Sequence, residues 1–278
     1  MTGIHPTPRR TAAYHPPHPW GSSQLRGRHT AATPTDPAGN AAGAMGHPAG
    51  SIVPRGQEHM TPPRTAADRL TTARLYVVTE SPHDPARVAD VVRAACDGGA
   101  DVVQLRRKDD DTRTTLRLAE RCREITAAAG AVFIVNDRLD VAMAVDADGV
   151  HLGQDDLPLA TARRLWPGRA VGRSTHSLAQ ALEAQRGGAD YIGVGPVFAT
   201  PTKPGRPAVG LACVSDVATA VGIPWFAIGG IDLANVASVL DAGARRIAVV
   251  RAVCSAADVA AASRALRGAV TATAEVPA

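Results

Sequence analysis

Residues 102–136 read VVQLRRKDDDTRTTLRLAERCREITAAAGAVFIVN, and this stretch decides the fold. It begins with a β-branched run at 102–106, continues through an Ala-, Leu- and Arg-rich amphipathic segment at 112–129, and returns to an apolar run at 132–136. Short apolar runs are typical of buried strands, and the longer amphipathic segment is typical of a helix that covers a sheet. The stretch therefore predicts two parallel strands joined by a helix.

The same alternation continues in both directions from this unit, from about residue 75 to residue 267. Eight repeats within about 200 residues predict a closed (β/α)8 barrel. The alternative is a doubly wound open sheet, which typically has about five or six strands and a Gly-rich turn after the first strand. Residues 79–83 read TESPH, without such glycines. The predicted strands are Leu75–Thr79, Val102–Arg106, Val132–Asn136, Gly149–Leu152, Ala170–Ser174, Tyr191–Gly195, Trp225–Gly229 and Ile247–Arg251, and the helices lie near 84–98, 112–129, 138–145, 158–166, 178–187, 211–221, 232–242 and 255–267.

The N-terminal part of the chain has a different composition. Residues 1–63 contain 11 of the 21 prolines and six of the nine histidines, with no apolar periodicity. Such a segment buries too little apolar surface to offset its ordering entropy. We therefore predict a disordered Pro/His/Gly-rich extension at 1–68, the barrel at 69–270 and a short tail at 271–278. A chain that starts at Met45 or Met60 is an alternative that the sequence leaves open.

Charge and composition exclude several classes of protein. The net charge is +4, of which residues 1–63 contribute +3, so the barrel carries too little positive charge to predict a nucleic-acid partner. Five arginines without interleaved aromatic residues leave nucleic-acid binding by the extension as an alternative. The sequence contains no apolar run of about 18 residues, so no membrane span is predicted. No secretory signal is evident. The four cysteines form no C-x-x-C pair, and we expect reduced thiols in a cytoplasmic protein.

Polar residues follow the predicted strands at the end where (β/α)8 barrels bind their ligands. Strand 2 places Gln104 and Arg106 on one face, with Lys108 just beyond. An arginine at the mouth of a small barrel is costly unless it meets an anion. These residues therefore favour an anionic ligand. The alternative is that Arg106 pairs with a neighbouring carboxylate and Lys108 lies in solvent.

Carboxylates follow the next two strands. Asp137 comes after strand 3, and Asp155 and Asp156 come after strand 4. Because strands 3 and 4 are adjacent, Asp137 and Asp156 could share one hard cation such as Mg²⁺, which prefers oxygen ligands. The alternative is that Asn136 or Asp137, and likewise Asp156, cap the helices that follow them.

The remaining strand ends offer further anion contacts. Ser174 and His176 follow strand 5; they suggest a nucleophile and a base, but no third partner is evident, and a hydroxyl near a phosphate is the simpler interpretation. The loop at 199–205 contains Thr and Lys side chains and could close over a substrate. The Gly229–Gly230 pair and the end of strand 8 lie where such barrels bind a phosphate through backbone N–H groups. The face therefore predicts two phosphorylated substrates, or one long one.

Six ordered motifs run through the predicted barrel: QLRRK (104–108), NDRLDVA (136–142), ADGVHLGQDDLP (147–158), GRSTHS (172–177), DYIGVGPVFATPTK (190–203) and AIGGI (227–231). Together they closely resemble the thiamine-phosphate synthase family over residues 75 to 265. The resemblance implies that a pyrimidine diphosphate, 4-amino-5-hydroxymethyl-2-methylpyrimidine diphosphate, condenses with a thiazole phosphate to give thiamine phosphate and diphosphate. It also implies Mg²⁺ as the cofactor.

The resemblance also implies roles for individual residues. Catalytic contacts with the leaving diphosphate fall on Arg106, Lys108 and Lys203, and the Mg²⁺ ligands fall on Asp137 and Asp156. One departure is Arg251, where some family members have Ser. The residues that bind the two substrates are implied to be Gln104, Arg106, Lys108, Asn136, Ser174, Thr200, Thr202, Lys203, Gly230, Val250 and Arg251.

The implied mechanism is ionisation of the pyrimidine before attack by the thiazole nitrogen. It needs positioning and charge stabilisation rather than a general base. Two other functions stay open at this point: a thiazole tautomerase on the same barrel, and a phosphate sensor built on an inactive barrel. The full set of charged residues favours the synthase. A homo-oligomer is a further expectation.

Overall fold

The computed structural model describes residues 65–80, 84–200 and 207–274. Eight parallel strands close into one barrel in chain order, so the predicted (β/α)8 barrel is confirmed and the open sheet is excluded. Residues 1–64 lie outside the described residues, and with them most of the predicted extension. The strands are β1 (Leu75–Val78), β2 (Val102–Leu105), β3 (Val132–Asn136), β4 (Gly149–Leu152), β5 (Ala170–Thr175), β6 (Tyr191–Val194), β7 (Trp225–Ile228) and β8 (Ile247–Val249).

The described helices follow the predicted alternation, with two additions. A helix precedes the first strand, and a short helix follows the last one. The final helix extends to Ala274, so the folded part ends later than the predicted boundary at 270. The helices are α1 (Ala66–Thr72), α2 (Pro85–Asp97), α3 (Thr112–Ala129), α4 (Leu139–Ala144), α5 (Leu159–Leu165), α6 (Leu178–Arg186), α7 (Gly210–Ala220), α8 (Val236–Asp241), α9 (Arg251–Cys254) and α10 (Val259–Ala274).

Helix α1 closes the N-terminal end of the barrel. It starts inside the segment predicted to be disordered, so the fold begins earlier than residue 69. Thr65 and Asp68 form a capping box, which satisfies backbone N–H groups at the start of the helix. Leu70 is fully buried and packs in the same cluster as the residues inside the barrel. One buried leucine on a seven-residue helix is too weak a periodic signal to show in the sequence.

The core has two layers. The larger lies between the strands and the surrounding helices and is built almost entirely from Val, Leu, Ile and Ala, as the composition predicts. The smaller fills the barrel interior and is dominated by aromatic rings. Phe226 packs edge-on against Tyr76 and Tyr191, with ring centroids 5.1 and 6.0 Å apart. These three aromatic rings lie beneath the ligand-binding end of the barrel.

Aspartates at the opposite end of the barrel join successive strands. Asp101 accepts hydrogen bonds from the N–H groups of Arg74 and Leu75, and Asp190 accepts one from Val171. The glycines that precede these aspartates, Gly99 and Gly188, have φ values of 88° and 80°. A glycine with a positive φ follows the end of each preceding helix, so these two Gly-Ala-Asp triplets end helices and lie away from the pocket.

In the described ranges, the structure contains no helix long and apolar enough to cross a membrane.

Candidate active site

A pocket of about 330 Å³ opens at the carboxyl ends of the strands. Its floor is formed by the aromatic residues of the barrel interior, and its wall by side chains and backbone at the strand ends. It brings together predicted residues that lie far apart in the chain. The predicted substrate-binding residues that line it are Gln104, Arg106, Asn136, Ser174, Thr200, Gly230, Val250 and Arg251.

Arg106 extends from the end of β2 into the pocket. Its backbone N–H donates to Thr79 Oγ1 at 2.9 Å, which joins the ends of β1 and β2. No carboxylate in the described parts of the chain forms an ion pair with its guanidinium group, so the alternative of a structural pair for Arg106 is not supported. A guanidinium at a pocket wall without a carboxylate partner is suited to bind an anionic ligand.

Two carboxylates and one ammonium group meet beside this wall. Lys108 Nζ lies 3.4 Å from Asp137 Oδ2, and Asp137 in turn contacts Asp156. Lys108 therefore does not lie free in solvent, although half of its side chain is exposed. The structure confirms that Asp137 and Asp156 are brought together, and Asp137 follows directly after the pocket residue Asn136.

The two carboxylates have opposite pKa shifts. Burial raises the pKa of Asp137, and the adjacent Asp156 raises it further, against the opposing effect of Lys108. Burial also acts to raise the pKa of Asp156, but hydrogen bonds from Asp137 and from the Gly153 N–H outweigh it and lower that pKa. A proton held on Asp137 therefore relieves the repulsion between the two groups.

The local backbone aims both carboxylates at one another. Asp137 has a φ of 61°, a left-handed conformation that Asp tolerates better than most residues, and its N–H donates to His151 O at 2.8 Å. Asp156 Oδ2 accepts from Gly153 N at 2.6 Å, and a Cβ on Gly153 would approach that oxygen to 2.7 Å. These two hydrogen bonds fix the backbone at Asp137 and the side chain of Asp156, so that both carboxylates are directed away from the helices that follow them.

The alternative that these residues cap helices is not supported. The N-cap of α4 is Arg138 and that of α5 is Pro158, and neither helix has a side-chain cap hydrogen bond. Asp155, next to Asp156 in the sequence, is exposed and is not part of the pair.

The donor set fits a magnesium ion. Two mutually repelling carboxylates favour a cation between them, and their oxygen atoms match the preference of Mg²⁺. Within the described residues no group of three or more His, Cys, Asp or Glu side chains forms a metal site. Mg²⁺ is usually held by one or two carboxylates with the rest of its shell from water and substrate phosphate, so two protein ligands beside an anion pocket suffice.

A buried ion pair supports the loop between β2 and α3. Arg107 donates to Asp110 through Nε at 2.7 Å and Nη2 at 2.9 Å, and the Arg107 side chain is only 4% exposed. These two hydrogen bonds form a fork that fixes Arg107, which lies between Arg106 and Lys108. The fork therefore holds the backbone from which both of those side chains project. No pattern in the sequence predicts this role for Arg107, because the pairing depends on the conformation of the loop.

The glycine pair lies on the opposite side of the pocket. Gly229 and Gly230 have φ values of 103° and 68°, and an added Cβ would approach Pro196 to 2.4 Å and Phe198 to 2.8 Å. Asn235 Nδ2 donates to Gly230 O at 2.8 Å and holds the turn. Both positions therefore require glycine, which leaves the backbone exposed to a ligand.

Arg251 lies elsewhere than predicted. Strand β8 ends at Val249 rather than at residue 251, and Arg251 is the first residue of α9, where it is exposed at the pocket edge. The chain turns at Val250, whose ψ of −90° is incompatible with a continued strand. The guanidinium group is therefore available to an anion near the glycine pair.

Two predicted residues cannot be placed. Thr202 and Lys203 lie outside the described residues, and Thr200 is the last described residue before them and lines the pocket. Their roles stay predictions.

The structure corrects the pairing suggested for Ser174. Its hydroxyl lies 3.0 Å from His151 Nε2, whereas His176 directs Nδ1 toward Gly195 O. His151 lines the pocket together with Tyr76 and Tyr191, and none of the three is among the residues predicted from the sequence. The alternation of side chains along β4 could have indicated His151. It lies two residues after Gly149, so both positions face the barrel interior.

The chain is thus a (β/α)8-barrel protein, and its candidate ligand site is the charged pocket at the carboxyl-terminal face of the barrel. A family model described as thiamine monophosphate synthase matches residues 75–253. The chain therefore belongs to the thiamine monophosphate synthase family.

Individual relatives agree with this family. The chain is 53% identical over 204 residues to a thiamine-phosphate synthase of Chloroflexus aurantiacus, covering 73% of this chain and 94% of that protein. It is also 53% identical over 191 residues to the thiamine-phosphate synthase of Gloeobacter violaceus. That match covers 68% of this chain but only about half (55%) of the longer relative. A solved thiamine phosphate pyrophosphorylase from Pyrococcus furiosus has 40% identity and a TM-score of 0.67, covering 74% of this chain and 98% of that one.

Proposed function

We propose that the chain joins 4-amino-5-hydroxymethyl-2-methylpyrimidine diphosphate to thiazole phosphate, giving thiamine phosphate and diphosphate. The observation that carries the proposal is the Lys108–Asp137–Asp156 cluster, which follows the pocket residues Arg106 and Asn136 in the chain, together with the Gly229–Gly230 turn that lines the same pocket. One side has the charges for a diphosphate and a divalent cation, and the other has the exposed backbone for a monophosphate. Family membership supports the same pair of substrates.

The residues divide the reaction between them. Arg106 and Lys108 bind the diphosphate oxygens and stabilise the negative charge that grows as the C–O bond to the pyrimidine breaks. Asp137 and Asp156 would hold Mg²⁺, which supplies further charge neutralisation at that leaving group when bound. Lys203, Thr202 and Thr200 are proposed to contact the same group from the following loop.

The second substrate is held on the other side of the pocket. Gly230 and the turn at Val250 would bind the thiazole phosphate through backbone N–H groups, with Arg251 adding positive charge. Gln104 and Asn136 are polar groups placed to orient the pyrimidine ring. The thiazole nitrogen then attacks the cationic carbon of the pyrimidine, so the protein contributes position and electrostatics rather than a base.

The direct test is to incubate the full chain with both substrates and Mg²⁺ and to measure thiamine phosphate. We expect product that requires all three additions and disappears with a chelator. Replacing Arg106 by Gln should lower kcat/KM by about 10²–10³-fold, whereas Arg117→Gln, on the exposed face of α3, should leave it unchanged. Conversion of a thiazole tautomer without condensation would overturn the proposal.

Two wider predictions accompany this function. A cytoplasmic location is supported by the four cysteines, all of which are free thiols. A homo-oligomeric state stays a prediction from the sequence.

A further inference from the structure

A continuous row of polar side chains crosses the interior of the barrel under the pocket. Gln104 Nε2 lies 2.7 Å from the Tyr76 hydroxyl, which lies 3.1 Å from the Tyr191 hydroxyl. The Tyr191 hydroxyl lies 3.2 Å from His151 Nδ1, and His151 Nε2 lies 3.0 Å from Ser174 Oγ. Five strands contribute one residue each to this row, which we name the interior relay.

The residues of the interior relay are buried, and its two phenols stay protonated. Each of its five residues is at most 9% exposed. Burial raises the pKa of Tyr76, and burial together with the neighbouring Tyr76 raises that of Tyr191 well above its ordinary value. Both hydroxyl groups therefore keep their hydrogen and can each donate one hydrogen bond while they accept another.

The direction of the row follows from the need of each buried hydroxyl hydrogen for an acceptor. The Gln104 amide N–H donates to Tyr76, whereas the distance between the two tyrosine oxygens is compatible with either of them as the donor. If Tyr191 donated to Tyr76, the buried Tyr76 hydrogen would have no acceptor in the row, so the satisfied arrangement has Tyr76 donate to Tyr191 and Tyr191 donate to His151 Nδ1. In this arrangement His151 carries its hydrogen on Nε2.

The other end of the relay then has a defined role. His151 Nε2–H donates to Ser174 Oγ, which makes that oxygen an acceptor and leaves the serine hydrogen free for the pocket. A hydroxyl held in this way is a hydrogen-bond donor to a ligand and is not a nucleophile activated by a base. The oxygen of a phosphate group is the acceptor that such a donor fits.

We propose that Tyr76, Tyr191 and His151 are positioning residues that hold Ser174 as a hydrogen-bond donor to the substrate diphosphate. The part of this inference that concerns the diphosphate rests on the proposed function. The part that concerns the direction of the relay and the tautomer of His151 does not. No proton is transferred; each hydrogen stays on its atom and only its direction is fixed.

The sequence makes room for the relay at one glycine. A Cβ on Gly172 would lie 2.2 Å from Tyr191 Cζ and 2.6 Å from its hydroxyl oxygen. The absence of a side chain at this position in β5 therefore lets the phenol reach between β1 and β4. The edge-on contacts of Phe226 with both tyrosine rings hold them from the opposite side.

The first test reads the tautomer directly in the ligand-free full chain. Nitrogen-15 NMR of the histidine side chains, with His151→Asn used to assign the signal, should show His151 neutral with its hydrogen on Nε2. Tyr191→Phe keeps the ring but removes the donor to Nδ1, so the single-tautomer signal should be lost. A hydrogen on Nδ1 in the unaltered chain, or a signal that Tyr191→Phe leaves unchanged, would overturn the relay.

The second test asks whether the relay acts through Ser174. Tyr191→Phe and Ser174→Ala should each lower kcat/KM by about 2–12-fold, the range of one lost hydrogen bond. The double variant should be no slower than Ser174→Ala alone, whereas multiplied effects would contradict a role through Ser174. Ser263→Ala is the matched control, because it removes a buried hydroxyl in α10 away from the pocket.

The two tests separate this inference from the proposed function. If the unaltered chain makes no thiamine phosphate, the proposed function fails, while the NMR result still decides the direction of the relay. If the chain is active but His151 carries its hydrogen on Nδ1, the relay fails alone.

Discussion

Single residues in this site are held in states that cost stability without a ligand. Asp137 combines a left-handed backbone with a carboxylate beside a second carboxylate, and both features are unfavourable in the empty pocket. Gly153 and Gly172 leave space for neighbouring side chains, because a Cβ at Gly153 would collide with Asp156 and a Cβ at Gly172 would collide with Tyr191. Such local conflicts are typical of residues selected for binding rather than for folding.

Asp137 should make magnesium binding depend on pH. Because its pKa is raised, protonation removes the charged ligand at a higher pH than for an ordinary Asp. The Mg²⁺ concentration for half-maximal activity should therefore rise across the acidic range, as the falling pH approaches the raised pKa of Asp137. Measuring Mg²⁺ titrations of activity across this range checks the prediction, and a flat profile would contradict it.

Asp137→Asn should separate binding from stability. A carboxyl group with a raised pKa stabilises the fold when protonated, and that stability is lost as the pH rises through its folded pKa. The neutral amide should therefore raise Tm at neutral pH without metal, while it weakens the Mg²⁺ dependence. Asp155→Asn, at the exposed neighbour of Asp156, is the matched control and should change neither quantity.

At the scale of elements, the loops after the strands are fixed by specific contacts. The β2–α3 loop depends on the buried Arg107–Asp110 fork, and the loop after β7 depends on Gly229, Gly230 and the amide of Asn235. The strands supply a rigid frame, and these contacts orient the binding groups that project from it.

Arg107→Lys should weaken diphosphate binding through the loop. The lysine keeps the charge but cannot form the two-bond fork with Asp110, so Arg106 and Lys108 lose their fixed orientation. We expect KM for the pyrimidine diphosphate to rise about tenfold, as one such contact is worth about 1.4 kcal/mol, together with a lower Tm. Arg93→Lys is the control: it alters an exposed pair with Asp90 at the same spacing and should leave both values unchanged.

Gly230→Ala should impair the monophosphate side of the pocket. The added methyl group faces both a φ of 68° and a contact of 2.8 Å with Phe198 Cβ. Gly168→Ala faces a similar φ of 77° with no atom within 4 Å, so it measures the cost of backbone strain alone. We expect both variants to lose about 1 kcal/mol or more of stability, and only Gly230→Ala to raise KM for the thiazole phosphate. Equal KM values for the two variants would contradict the assignment.

At the scale of the whole molecule, the barrel is closed at one end and open at the other. Helix α1 and Leu70 close the N-terminal end, and the aromatic layer with the interior relay lies between this plug and the pocket. Stability and binding are thus concentrated at opposite ends of the same eight strands.

Leu70→Ala should therefore destabilise the barrel without altering its pocket. Truncating a fully buried leucine costs about 2–5 kcal/mol, so a drop in the urea midpoint is expected with kcat/KM unchanged at a temperature where the variant is folded. Leu233→Ala removes the same atoms from a side chain that is 53% exposed, and its midpoint should stay within error of the unaltered chain. A large loss of activity in folded Leu70→Ala would show that the two ends are coupled.

The barrel, its eight strands and most of the pocket wall could be predicted from the amino-acid sequence. Periodicity of apolar residues is a local signal, and in a parallel barrel the strand ends converge, so Arg106, Asn136, Ser174 and Gly230 could be placed at one face. Strand ends were predicted within about two residues, and the clearest difference is at β8, where the turn at Val250 moves Arg251 into α9.

Which side chains meet follows from the three-dimensional arrangement of the strands. It paired Ser174 with His151 rather than with His176, brought Lys108 to Asp137, and linked Tyr76 to Tyr191 across 115 residues of sequence. The helix α1 plug and the aromatic layer also appear only there. The physical reason is that hydrogen bonds and ion pairs depend on distances of a few ångström between atoms on different strands, and these distances follow from barrel closure, which no local pattern in the chain records.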